Sequence, residues 1–341
     1  MTHTVLVTGV SRHIGARVAS VLAADPDIDR VIGVDTVPPP SLSRDGGVPL
    51  GRVEFVRVDL RSPDIAQVIA AADIDTVVHM SLVSAPPRSG GRALMKEHNV
   101  IGTMQLLGAC QRSATVRRVV VRSTSAVYGS SPRDPAVFVE DAEPGEPPSH
   151  GYAKDATEVE GYVRGFARRR RDVSVSTLRF VNFMGPGVDS PLTRYFSQPV
   201  LPTVLGFDPR LQFIHEDDAV EVLRRMAMED HPGTFNVAGD GVLLLSQCIR
   251  RAGLASLPIP SPAFRFLGDF ARSVGAVDFS PEQLRLMCHG RAVDTGRLAA
   301  ALGWKPKFST GAAFEDFLRS RGMNGGLSGA MLDMLSHMVT R

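Results

Sequence analysis

Gly9, Gly15 and Asp35 carry the first chemistry legible in this chain. The two glycines lie in the run VLVTGVSRHIG, and the aspartate follows Gly15 by twenty residues. Gly9 closes a β-branched run and lets the chain turn, and Gly15 permits close packing of the helix that follows on the strand. The start of such a helix offers free N–H groups and a positive dipole end, which suit a pyrophosphate. Asp35 ends a second apolar run, where a carboxylate can accept both hydroxyls of a ribose. Strand, turn, helix and distant acid agree with one another, and together they indicate a dinucleotide site.

These residues must be positioned by alternating strands and helices. Short apolar, β-branched runs at Thr4–Thr8, Val31–Asp35, Val53–Arg57, Thr76–Met80, Arg118–Ser123 and Val173–Arg179 predict strands. Helical spacing is found between them at Ile14–Ala24, Pro63–Ala71, Arg92–Arg112 and Tyr152–Arg168. Strands that are apolar almost throughout, alternating with helices, predict an α/β fold: a Rossmann-type, doubly wound parallel sheet covered on both faces. Three Pro/Gly-rich stretches, Val37–Gly51, Ser84–Gly91 and Ser130–Ser149, interrupt the pattern at lengths typical of binding loops. Past about residue 185 the pattern is less regular and richer in proline. The chain therefore reads as a nucleotide domain (1–184), a smaller, mainly C-terminal substrate lobe (185–322) with some elements returning to the first domain, and a tail (323–341). The lobe is expected over the carboxyl ends of the strands.

The chain has 341 residues, with 38 basic and 36 acidic side chains. That balance gives no reason to expect nucleic acid as a partner, and the run Arg168–Arg171 reads as a solvated helix end. Cys110, Cys248 and Cys288 are too scattered for a disulfide framework or structural zinc, and no metal site is expected. No stretch has the length of a membrane span and no leader precedes the first strand, so a cytoplasmic location is the expectation. The tail carries Met331, Leu332, Met334, Leu335 and Met338 at apolar spacing, as in a docking helix.

TGVSRHIG resembles the glycine fingerprint of the extended short-chain dehydrogenase/reductases. Further stretches resemble that group in the same order: VDLRS, HMSLVSAP, HNVIGTMQLLGAC, RSTSAVYG, LRFVNFMGPG, FIHEDDA and DTGRLAAALGWKPKFS. In this order and spacing they point to the NAD-dependent epimerase/dehydratases, similar in fold to UDP-galactose 4-epimerase. The resemblance implies a cofactor site built from Gly9, Arg12, His13, Ile14, Gly15 and Asp35. It adds Asp59 and Leu60 beside adenine, and His79, Met80, Ser81, Asn99 and Ser123 along the rest of the dinucleotide. Ser84, Ser125 and Asn182 are implied as substrate contacts. NAD is expected over NADP, because Asp35 would repel a 2′-phosphate. A homodimer through the helices 92–112 and 152–168 is also implied.

In such enzymes a tyrosine takes the proton of a sugar hydroxyl, helped by a lysine four residues later and by a Ser or Thr hydroxyl. Tyr152 and Thr124 stand at the tyrosine and hydroxyl positions. The lysine position holds Ala156, and Lys154 is roughly 200° around the helix from Tyr152. Arg12 also stands where the extended fingerprint has its middle glycine. The expected activity is hydride exchange between NAD and a hydroxyl of a nucleotide sugar. The alternative is a weakly active or silent NAD-binding regulator of the same fold, with Arg12, His150 or another cation compensating if catalysis survives. His215 reads as structural, Glu216, Asp217 and Asp218 as a helix start, and Tyr128 as packing.

Overall fold

The computed structural model describes residues 3–39, 51–84, 91–261 and 281–323. All but the first residue of the tail lies outside them, as do most of the first two Pro/Gly-rich stretches.

Seven parallel strands form the main sheet: β1 (Thr4–Thr8), β2 (Arg30–Asp35), β3 (Val53–Arg57), β4 (Thr76–His79), β5 (Arg118–Thr124), β6 (Ser174–Phe180) and β7 (Gly233–Val237). Their spatial order is β7-β6-β5-β4-β1-β2-β3. The order reverses between β1 and β4, and a sheet of this kind binds ligands in the crevice at that switch, beyond the strands' carboxyl ends. All six strands read from the sequence are present. The seventh comes from the second half of the chain and pairs with β6 from Gly233↔Ser176 to Val237↔Phe180. Val5, Leu6 and Val7 of β1 are wholly buried, as expected of a central strand covered on both faces.

Helix α1 (His13–Ala24) packs its Val18, Ala19 and Leu22 into the core. The predicted helix 92–112 is interrupted by a π-helical stretch at Glu97–Ile101, between helical segments Gly91–Lys96 and Gly102–Arg112. The long helix α2 (Gly151–Arg169) lies alongside and contributes Ala156, Val159, Val163 and Phe166 to the core.

Two hydrophobic cores divide the molecule. The larger surrounds the seven-stranded sheet and takes in Val220, Leu223 and Met226 of α3 (Glu216–Met228), with Leu298, Leu302 and Trp304. The smaller is built around Tyr195, Phe196, Phe213, Phe314 and Phe317. The chain thus enters the second lobe after β6 and returns to the sheet more than once.

Candidate active site

The dinucleotide turn is made by two glycines with different tasks. Gly9 has φ of +76°, and a Cβ there would stand 3.1 Å from the backbone of Met80 and Ser81. Gly15 is needed for packing, since a Cβ would run into the Gly9 carbonyl. Arg12 meets neither restriction. Its φ of −100° and ψ of 148° are open to any residue, so an arginine fits without backbone strain. Its side chain lines the cleft with His13, Ile14 and Gly15. Surrounding protein lowers its pKa, with Arg122 adding to the effect.

Asp35 braces this turn. One carboxylate oxygen accepts the Ser11 N–H at 3.0 Å and the Ser11 hydroxyl at 2.5 Å, and the other accepts the Thr36 N–H at 2.8 Å. Asp59 is held by Arg61, whose guanidinium reaches it at 2.6 Å. The Arg61 bond holds the Asp59 carboxyl below its usual pKa. His98, from the π-helical stretch, stands near Arg12, Asp35, Asp59 and Arg61; burial and then Arg12 lower its pKa.

A cavity of about 250 Å³ continues from this turn past the ends of β4 and β5 to the second lobe. Tyr152 and Thr124 both line it, together with Met80, Ser84, Ser125 and Asn182. Thr124 accepts the Ala126 N–H at 3.2 Å, which leaves its O–H free to donate. Burial raises the Tyr152 pKa; the charge of Arg122 and a hydrogen bond with Thr124 pull it back. Ala156, one turn later, is fully buried. Lys154 does not line the cavity and lies beside Glu158, 4.0 Å away.

The start of α2 is capped by a remote residue. His150 precedes it but provides no side-chain cap. The Glu282 carboxylate instead accepts the Ala153 N–H at 3.2 Å, and also bonds the Tyr152 N–H. Gly151 has φ of +73°, and any Cβ there would strike that carboxylate. Burial raises the Glu282 pKa. Arg291 lines the same wall and donates to the Gly129 carbonyl at 2.6 Å, while burial lowers its pKa to about 10.

A family model, the NAD dependent epimerase/dehydratase family, matches residues 5–238. The chain belongs to this family. An uncharacterized protein of Mycobacterium tuberculosis is 47% identical over 319 residues, covering 94% of this chain and 84% of its own. A probable UDP-arabinose 4-epimerase of Oryza sativa subsp. japonica is 28% identical over 194 residues, covering 54% of this chain and 45% of its own. Among solved structures, dTDP-glucose 4,6-dehydratase of Bacillus anthracis in complex with NAD has a TM-score of 0.71 at 16% identity, covering 95% of this chain and 97% of its own. UDP-glucuronic acid 4-epimerase of Bacillus cereus, in complex with UDP-glucuronic acid and NAD, has a TM-score of 0.70 at 18% identity, covering 93% and 98%. At those identities the structural likeness concerns the fold.

Several residues that the family resemblance places along the cofactor are committed to the fold. His79 is buried between the hydroxyls of Thr8 at 2.8 Å and Thr103 at 2.9 Å. Asn99 is fully buried; it holds both the N–H and the carbonyl of Val83 and reaches Asp155 at 3.2 Å. The Ser123 hydroxyl is turned to Glu160 at 2.6 Å, and Leu60 is packed in the core. Ser81 is buried directly against Gly9.

The remaining candidates also have structural partners. Tyr128 bonds Asn236 and Arg179, both at 2.8 Å, and stacks on Phe138. His215 caps α3 through the Asp217 N–H and stacks on Phe308. Asp218 accepts the N–H groups of Lys307 and Phe308 at 2.9 Å each. Among the described residues no group of His, Cys, Asp or Glu could hold a metal, and no helix is long and apolar enough to cross a membrane.

Arg122, Glu282 and Arg291 did not stand out in the sequence. Arg122 had a signal there: it interrupts the apolar run of β5 two residues before Thr124, so both share one face of the strand. Glu282 and Arg291 come from far along the chain, and no local pattern announces their place.

Proposed function

We propose that this protein is an NAD-dependent oxidoreductase or isomerase that acts on a hydroxyl of a nucleotide sugar. The observation that carries this reading is the shared cavity in which Tyr152 meets Thr124, open to the dinucleotide turn. The residues fit the cofactor. The turn has its two obligatory glycines, Asp35 stands at the end of β2, and Arg12 adds a cation for a pyrophosphate without straining the backbone. Bound NAD would supply the hydride acceptor.

The chain's own part is proton management and orientation. Tyr152, as phenolate, would take the hydroxyl proton of the substrate while the carbon beneath loses its hydride. Thr124 would donate its O–H to the same substrate oxygen or to Tyr152. Such a base contributes about 10²–10⁴ in rate. Return of the hydride to the opposite face gives an epimer, and release of the ketone gives a simple oxidation.

Ala156 favours a second reading, a silent NAD-binding regulator. Purified protein incubated with NAD and UDP-glucose, UDP-galactose or dTDP-glucose decides between them. Conversion of one of these, abolished by Tyr152→Phe, supports the enzyme. NAD binding without conversion of any of them supports the regulator, and failure to bind NAD overturns both.

A further inference from the structure

We propose that Arg122 is the cation that serves Tyr152 in this chain, in the role left open by Ala156. The inference rests on the proposed function above, because it assigns the partner of the proposed base.

The placement follows from the strand. In β5, Val119, Val121 and Ser123 share one face, and Arg118, Val120, Arg122 and Thr124 share the other. Arg122 and Thr124 lie at the carboxyl end of β5, and both line the cavity that Tyr152 lines. The two arginines of the strand differ. Arg118 has a carboxylate partner, Asp230, at 2.7 Å. Arg122 is half-buried and has no carboxylate partner among the described residues. One of its terminal nitrogens donates to the Leu82 carbonyl at 2.7 Å, and its guanidinium lies 5.1 Å from the Phe183 ring centre. Its Nε is enclosed without a hydrogen-bond partner.

A half-buried cation with one carbonyl partner and an aromatic face is under-compensated. It gains most from an anion that forms nearby, and the phenolate of Tyr152 is the anion the proposed chemistry calls for. Among the charges acting on Tyr152, Arg122 favours the phenolate most, Arg12 does so less, and Glu282 opposes it. Arg291 also senses the phenol. Arg122 is held by Leu82 and Phe183, so it is pre-set and need not be ordered when the anion forms. It is a positioning residue, acting on substrate through Tyr152.

The test is NMR titration of tyrosines labelled with ¹³C at Cζ, in the protein without substrate. The chain has four tyrosines, and Tyr152→Phe assigns the signal. Arg122→Met keeps the bulk and removes the charge, and Arg122→Lys keeps the charge. The expected result is a Tyr152 midpoint about one pH unit higher in Arg122→Met, near wild type in Arg122→Lys, and lowered again in the double variant Arg122→Met/Ala156→Lys. In turnover, kcat of Arg122→Met falls at least about tenfold at pH 7, with the basic limb recovering activity as pH rises. A Tyr152 midpoint equal in wild type and Arg122→Met overturns the proposal, as does a wild-type Tyr152 that does not titrate below about pH 11. The titration needs no substrate. A protein that converts no nucleotide sugar therefore refutes the proposed function, while the tyrosine midpoints decide the role of Arg122 separately.

Discussion

His13 ties the first turn of the nucleotide fold to Glu216 at the head of α3, two hundred and three residues later in the chain. The Glu216 carboxylate also accepts the Gly187 N–H at 2.9 Å and faces Arg17 at 3.2 Å. A side chain on the dinucleotide turn is therefore locked to the loop that carries the chain into the second lobe. His13 lies against Gly187 so closely that a Cβ on that glycine would enter its ring.

Glu216→Gln should therefore loosen both lobes at their seam. Burial alone would raise the Glu216 pKa, but the His13 bond and the Gly187 N–H outweigh it and hold the carboxyl below its usual range. A depressed carboxyl contributes stability above its unfolded pKa and loses it as pH falls through the folded value. The variant should lose about 1–3 kcal/mol at pH 7 in urea unfolding, and less at pH 4. Equal losses at both pH values would refute the ion-pair account.

Tyr152→Phe removes one oxygen from the proposed base and leaves the ring that lines the cavity. The turnover number should fall by about 10²–10⁴, with NAD affinity changed by less than about threefold. Stopped assays together with isothermal titration against NAD separate these outcomes. A large loss of NAD affinity with little loss in rate would place Tyr152 in cofactor binding alone.

Much of this architecture was legible because it depends on local rules. Five of the six strands read from the sequence are β-branched runs buried along most of their length, the edge strand β3 being only partly covered, and both obligatory glycines sit where a turn and a close contact demand them. Other features depend on distant partners. β7 needs the edge offered by β6, and Glu282 caps α2 from more than a hundred residues away. His79 and Asn99 likewise bond partners inside the fold that no local pattern announces. Arg122 was open to notice, since a cation in an apolar strand is costly unless something uses it.

Asp35 has two duties, and a substitution should reveal both. Its carboxylate gathers Ser11 and Thr36 around the turn, and its remaining lone pairs suit ribose hydroxyls. Asp35→Asn should weaken NAD binding by about 10–100-fold, the loss of one or two hydrogen bonds to a charged group. It should also narrow the preference for NAD over NADP, because the negative charge that repels a 2′-phosphate is gone. Calorimetric titration with each dinucleotide measures both effects. An unchanged ratio of the two affinities would remove Asp35 from the ribose site.

His79 predicts an acid-sensitive fold. Thr103 donates its hydroxyl to the Asn99 carbonyl at 2.6 Å, so its oxygen accepts from the Nε2–H of His79. Thr8 accepts the Met80 N–H at 3.0 Å and donates its own hydroxyl to Nδ1 of His79. This arrangement fits one neutral tautomer and leaves no acceptor for a second ring proton. Burial lowers the His79 pKa to about 3, and the charges of His98 and Arg122 add to the effect. The unfolded chain takes up that proton near its usual pKa of about 6.5 and the native chain does not. Between those two values the unfolded state binds more protons, so stability falls as pH falls, by up to about 1.4 kcal/mol per pH unit. His79→Gln keeps a donor and an acceptor without titrating in this range. It should be less stable than wild type at pH 7 yet show a flatter decline in urea midpoint from pH 6.5 to pH 4. Parallel declines in the two proteins would show that other groups set the acid limit.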